Sequence, residues 1–251
     1  MKTTISRSLS SVLTLIGLTV MISACSTNYR AEGKGKDNDS KVKYETLLEQ
    51  YNQLSVNNRG CGAEWSMNRD LESCESIAMQ LDRLYVENPR VSEIAYLNAM
   101  ISYELGKTDK SQYILDTILA SQGAHSKAAV LRGMIALQEG NIRYTEELMR
   151  RQIQLAPDFG ELYEVQAAAY FLDNNYTAAR QSLSVAERLG VPDWRLAYHY
   201  GLISESELDW AQACSHYRSS IQIKPEFYLP RSRLNGLFAQ GTCDERGRFR
   251  K

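Results

Sequence analysis

Hydrophobic residues recur at helical spacing along most of this chain. Residues 12–22 (VLTLIGLTVMI) form an apolar run of eleven, broken only by Thr14, Gly17 and Thr19. A helix of that length rises about 16 Å, roughly half a bilayer core, so the run is too short to span a membrane alone. Residues 41–54 are amphipathic, with Val42, Leu47, Leu48 and Tyr51 as the apolar positions. Residues 71–86 predict a second helix that stops before Asn88-Pro89, because the residue preceding a proline is pushed out of the helical region. Between them, residues 57–68 read as an irregular loop.

From Ser92 onward the pattern is periodic. Pro157 and Pro225 lie 68 residues apart, as do Gly133 and Gly201, and half that interval is 34. Units starting at 92, 126, 160 and 194 place Ala99, Gly133, Ala167 and Gly201 at the eighth position and Ser111, Thr145, Ala179 and Ala213 at the twentieth, all small. The twenty-fourth position holds Leu115, Met149, Leu183 and Tyr217, all large. At the fifteenth, where a turn is needed, Gly106, Gly140 and Asn174 fit and Leu208 does not. Small residues at positions 8 and 20 let two antiparallel helices approach closely, and the large residue at 24 fills the gap to the next unit.

This pattern resembles the tetratricopeptide repeat over residues 92–227, although Trp is missing at position 4 and Pro at position 32 of two units. The resemblance implies an all-α, right-handed solenoid of four helix pairs (92–125, 126–159, 160–193 and 194–227). Its ends need covering. Residues 41–91 are expected to form a degenerate N-terminal pair with a cysteine-containing loop. Residues 228–241 are expected to form a capping helix, with Leu234, Leu237 and Phe238 facing inward, ahead of a tail at 242–251. In the family the first helices line a concave groove. Here that groove implies Tyr96, Met100, Tyr103, Lys127, Met134, Glu161, Glu164, Phe171, Arg195 and Tyr198 as partner-binding residues, with Glu93, Val130, Leu137, Leu202 and Glu205 beside them. The stripe reads as apolar at its centre and charged at its rim. Members that clamp a C-terminal carboxylate use Lys and Asn across the groove; only Lys127 and Asn98 stand near those positions, so an extended or helical segment held by apolar pockets is the expected ligand.

The N-terminus supplies an address. Lys2 and Arg7 precede the apolar run with no acid, as in a signal peptide over residues 1–24. The run ends Ile22-Ser23-Ala24-Cys25, which resembles the lipobox of bacterial lipoproteins. That resemblance implies diacylglycerol on the Cys25 sulfur and an acyl chain on its amine. Ser26 follows in place of the aspartate that marks inner-membrane retention, so an outer-membrane anchor facing the periplasm is expected. Residues 25–40 read as the lipidated N-terminus and a flexible polar tether.

Charge and chemistry add mostly exclusions. With 29 Lys+Arg against 30 Asp+Glu the net charge is -1, which offers no electrostatic footprint for nucleic acid. Five cysteines become one plus four when Cys25 carries lipid, and an oxidising periplasm predicts disulfides among the rest. The repeat geometry then favours Cys61 with Cys74 and Cys214 with Cys243, because crossing the stack would exceed the Cα separation a disulfide tolerates. A zinc site is the rival, carried only by Cys214-Ser215-His216. No nucleophile elbow, zinc-protease motif or nucleotide loop is present, so no enzyme activity, metal, cofactor or small-molecule substrate is expected. In architecture the chain resembles repeat-bearing lipoproteins that assist assembly of pilus or secretion machinery. The alternatives are a scaffold for peptidoglycan hydrolases or proteases and a periplasmic hydrolase with dispersed carboxylates.

Overall fold

The computed structural model describes residues 26–56, 61, 62, 70–244 and 249; the signal peptide expected at 1–24, the lipidation expected at Cys25 and most of the stretch expected as an irregular loop at 57–68 lie outside them. Eleven helices follow one another among the described residues: α1 (Ser26–Val56), α2 (Leu71–Glu87), α3 (Ser92–Glu104), α4 (Thr108–Gln122), α5 (Ser126–Gln138), α6 (Ile142–Leu155), α7 (Gly160–Leu172), α8 (Tyr176–Arg188), α9 (Asp193–Ser206), α10 (Trp210–Ile223) and α11 (Leu229–Ala239). Each packs on the next as an antiparallel stack. The second helices of the four central pairs begin at 108, 142, 176 and 210, an unbroken interval of 34.

The turn within each pair is built the same way four times. Gly106, Gly140, Asn174 and Leu208 all adopt positive φ, at 76°, 76°, 61° and 63°. The following N–H (Lys107, Asn141, Asn175, Asp209) reaches back five residues to a carbonyl at 2.8 Å each time, the bond that ends a helix on a left-handed residue. Leu208, which has no turn signature, takes the same conformation at a cost of about 1–2 kcal/mol, since its Cβ crowds the carbonyl. Asn141, Asn175 and Asp209 then cap α6, α8 and α10 by accepting from the N–H three residues on, at 3.2–3.3 Å, and so satisfy one orphan donor per helix.

Successive first helices touch one another along the stack (α3 with α5, α5 with α7, α7 with α9), whereas second helices come less close. That inequality curves the array with the first helices on the inner face. The small positions allow it. Gly133 faces the Met149 methyl, and an ideal Cβ on Gly201 would lie 2.5 Å from the Tyr217 ring. A second period-34 device holds the first half together: Asp82 on α2 accepts from Asn98 on α3 at 2.9 Å and from Lys110 on α4. Asp116 likewise accepts from Arg132 Nε at 3.0 Å and Tyr144 Oη at 3.3 Å, with the Arg132 guanidinium over the Tyr144 ring. The device stops there, because Arg150 occupies the next aspartate position and pairs with Glu147 instead.

The ends differ from expectation in two places. Residues 25–40 are expected to be the lipidated N-terminus and a flexible tether, but the chain is helical from Ser26; no proline interrupts 26–56, and Ser40 and Leu47 are buried and Tyr44 half-buried. At the other end Leu237 is buried and Leu234 half-buried against Tyr217 and Tyr198, yet Phe238 is 39% exposed. One residue past Leu237, it lies 100° round the helix from that contact.

A candidate partner-binding groove

The first helices present their groove positions in three physical states. Tyr96, Met100, Tyr103, Val130 and Leu137 are partly buried against the central core. The Tyr103 hydroxyl accepts from Gln138 at 2.6 Å, and the Tyr96 ring lies 5.8 Å from that of His125. Phe171 packs with Tyr176 at 5.9 Å in the third core cluster. These side chains hold neighbouring units together and offer a partner only their outer edges. Lys127, Met134 and Glu93 are exposed, Met134 by 41%, while Glu161 is intermediate.

The centre of the stripe departs from its expected apolar character. Glu164 on α7 is 5% exposed and accepts from Arg195 Nε at 2.9 Å, from the same guanidinium's Nη2, and shares a 3.1 Å bond with His199 Nε2. Glu164 and Arg195, both expected to face a partner, are partners of each other across α7 and α9. Burial alone pushes the Glu164 carboxyl up; His199 and Arg195 together outweigh it and hold the group below the ordinary carboxylate range. His199 is not among the expected groove residues, although it lies one helical turn from Arg195 on the same face.

The C-terminal end is aromatic. Tyr198 stands 5.3 Å from Phe227, and Trp194 4.8 Å from the same ring, both edge-on. Beneath them Tyr217, fully buried, donates to Glu205, which also meets Arg233 of α11 at 3.4 Å; burial and then that carboxylate push the Tyr217 phenol up. Glu205 therefore ties the cap to the last pair. Tyr217 and Arg233 lie in different helices from the expected groove, and only their repeat positions hint at this meeting.

Cys61 and Cys74 stand with Cα atoms 5.7 Å apart, and Cys214 and Cys243 6.0 Å apart, each pair bonded through sulfur. Cys214 in that state offers no thiolate, which removes the Cys214-Ser215-His216 zinc alternative. Among the described residues no cluster of three or more His, Cys, Asp or Glu side chains could hold a metal ion, and no helix is long and apolar enough to cross a membrane.

No family profile matches the chain and no curated relative matches its sequence. Solved structures do match in fold. A thermophilic TPR protein of Thermus thermophilus superposes with a TM-score of 0.62 at 15% identity, over 78% of this chain and 99% of its own. Pseudomonas aeruginosa PilF gives 0.54 at 13%, over 80% and 99%. MamA of Desulfovibrio magneticus RS-1 gives 0.52 at 15%, over 74% and 97%. The stack is a tetratricopeptide solenoid. At these identities the likeness carries fold and nothing finer.

Proposed function

We propose that this chain is a non-enzymatic adaptor that holds a protein segment in the groove of its first helices. The supporting observation is the inner face itself. Aromatic edges and Met134 alternate there with the exposed charges of Lys127 and Glu93, a composition suited to interaction hot spots. Cys25 carries the lipid that anchors the body to the outer membrane, facing the periplasm, where it assists assembly of a pilus or secretion machine. The lipobox and the architecture shared with assembly lipoproteins support this part of the reading.

The test places a photoreactive amino acid at Met134 on the inner face or at Tyr113 on the outer one. Protein crosslinks from outer membranes should form at Met134 and not at Tyr113; the reverse pattern overturns the groove. A Cys25→Ser variant should leave the outer-membrane fraction, and one that stays there removes the lipid anchor from the reading.

A further inference from the structure

At the N-terminal end of the inner face, α1 and the start of α3 do not close against each other. They leave an open cleft of about 300 Å³ lined by Ser40, Lys41, Tyr44 and Glu45 on α1 and by Val91, Glu93 and Ile94. Its floor is apolar: Ile94 is buried and Tyr44 and Val91 are half-buried, all in one core cluster. Its mouth is carboxylate-rich. Glu93 lies near enough to the Tyr44 phenol to reinforce the upward push that burial gives it. Farther along the groove, Tyr96 sits within the field of both Glu104 and Glu161, again added to burial. The cations close by are Lys41, 3.9 Å from Glu45, and Lys127, which acts on His125. His125 itself is held toward its neutral form, first by burial. Glu164 and Glu205, the remaining groove acids, are already matched by Arg195 and His199 and by Arg233.

Resting on the reading of the inner face as a protein-binding groove, we propose that the cleft between α1 and α3 receives a lysine or arginine side chain of the bound segment. The aliphatic stem lies on Tyr44, Val91 and Ile94, and the charged head reaches Glu93 and Glu45. Long basic side chains bury their stems along apolar surface while keeping the head at a polar rim, and tyrosine faces add attraction for a cation. Charge complementarity selects this occupant. Glu45 is already met by Lys41, so an apolar side chain would leave Glu93 without a cation, and an acidic one would meet Glu93 and Glu45. The partner segment is therefore basic at one end of its footprint.

The probes are two fluorescein-labelled 12-residue peptides, one alternating lysine with leucine and one alternating glutamate with leucine, titrated into the intact protein by anisotropy. The lysine peptide should bind at least ten times more tightly at low salt and lose most of that advantage at 0.5 M salt, where the Debye length shrinks to a few ångströms. Glu93→Gln with Glu45→Gln should weaken it about five- to tenfold, and Glu93→Lys further, while a Glu187→Gln control leaves it unchanged. Equal affinity for the two peptides, or no loss in the Glu93/Glu45 variants with circular dichroism intact, overturns the proposal. The groove reading fails separately: it falls when outer-membrane partners crosslink at Tyr113 and not at Met134. Crosslinking at Met134 with no preference for lysine sinks the basic-residue inference alone.

Discussion

Gly201 and Gly133 occupy the same repeat position, yet alanine should affect them very differently. A Cβ on Gly201 would sit 2.5 Å from Cε1, 2.6 Å from Cδ1 and 3.1 Å from Cζ of Tyr217, roughly 1 Å inside ordinary carbon contact. The ring has nowhere to go: it is fully buried and tethered by its hydroxyl to Glu205. Overpacking of this kind costs about 1–3 kcal/mol, and replacing a mid-helix glycine returns about 1 kcal/mol. Gly201→Ala should therefore lose up to about 2 kcal/mol, seen as a Tm lower by up to about 8 °C for a chain of this size. At Gly133 the nearest atoms are the Met149 methyl at 2.9 Å, the end of a flexible side chain that can swing aside, and Val165 Cγ1 at 3.0 Å, which need yield only a few tenths of an ångström. Gly133→Ala should stay within about 0.5 kcal/mol of the parent. Urea denaturation with disulfides intact reads both, and unchanged m-values show that the comparison concerns stability. Adding Tyr217→Leu to Gly201→Ala recreates the Ala–Leu pairing of Ala99 with Leu115 and Ala167 with Leu183, so the double-mutant cycle should show coupling of about 1 kcal/mol or more. A Gly201→Ala protein as stable as Gly133→Ala, or strictly additive effects, would refute this account of how positions 8 and 24 fit together.

Other expectations follow from single contacts. Glu164→Gln should destabilise by about 2 kcal/mol, because Arg195 and His199 lose a buried charged acceptor. Since the folded Glu164 carboxyl titrates below its unfolded value, its stabilisation is complete above about pH 4.3 and disappears as pH falls through the lower, folded value; the glutamine variant should show a shallower acid limb. Leu208→Asn should raise stability by about 0.5–1 kcal/mol, as Asn174 already tolerates the same left-handed turn, while Asp209→Ala should cost about 1 kcal/mol through loss of the α10 cap. Cys214→Ser with Cys243→Ser opens a loop of 29 residues and should cost about 3.5 kcal/mol in the chain-entropy model; an unchanged denaturation midpoint would argue against the bond.

Much of the architecture is legible because it repeats. Position 8 and position 24 are read four times over, so a weak preference becomes a register, and the left-handed residue at position 15 can be placed even where Leu208 breaks the rule. The groove is legible only as a list of positions. Whether Glu164 faces solvent or Arg195 depends on how far α9 approaches α7, which no local pattern encodes; the two residues are 31 apart. His199 carries a usable signal, one turn beyond Arg195. Residues 26–40 mislead for a compositional reason, since Gly, Lys, Asp and Ser suggest coil, while the absence of proline leaves a helix free to extend.

The aspartate relay through Asp82 and Asp116 makes the units non-interchangeable. Each aspartate lies on one unit and its ligands on the next, so every such joint is a plug and socket of defined polarity. Arg150 has replaced the plug on the unit that carries Arg132. Exchanging that unit with the one before it would leave Lys110 facing Arg150, two cations meeting where a carboxylate now stands. Repeats built to one plan thus form an ordered series, and a chain with those two units exchanged should assemble poorly although every unit keeps its own sequence.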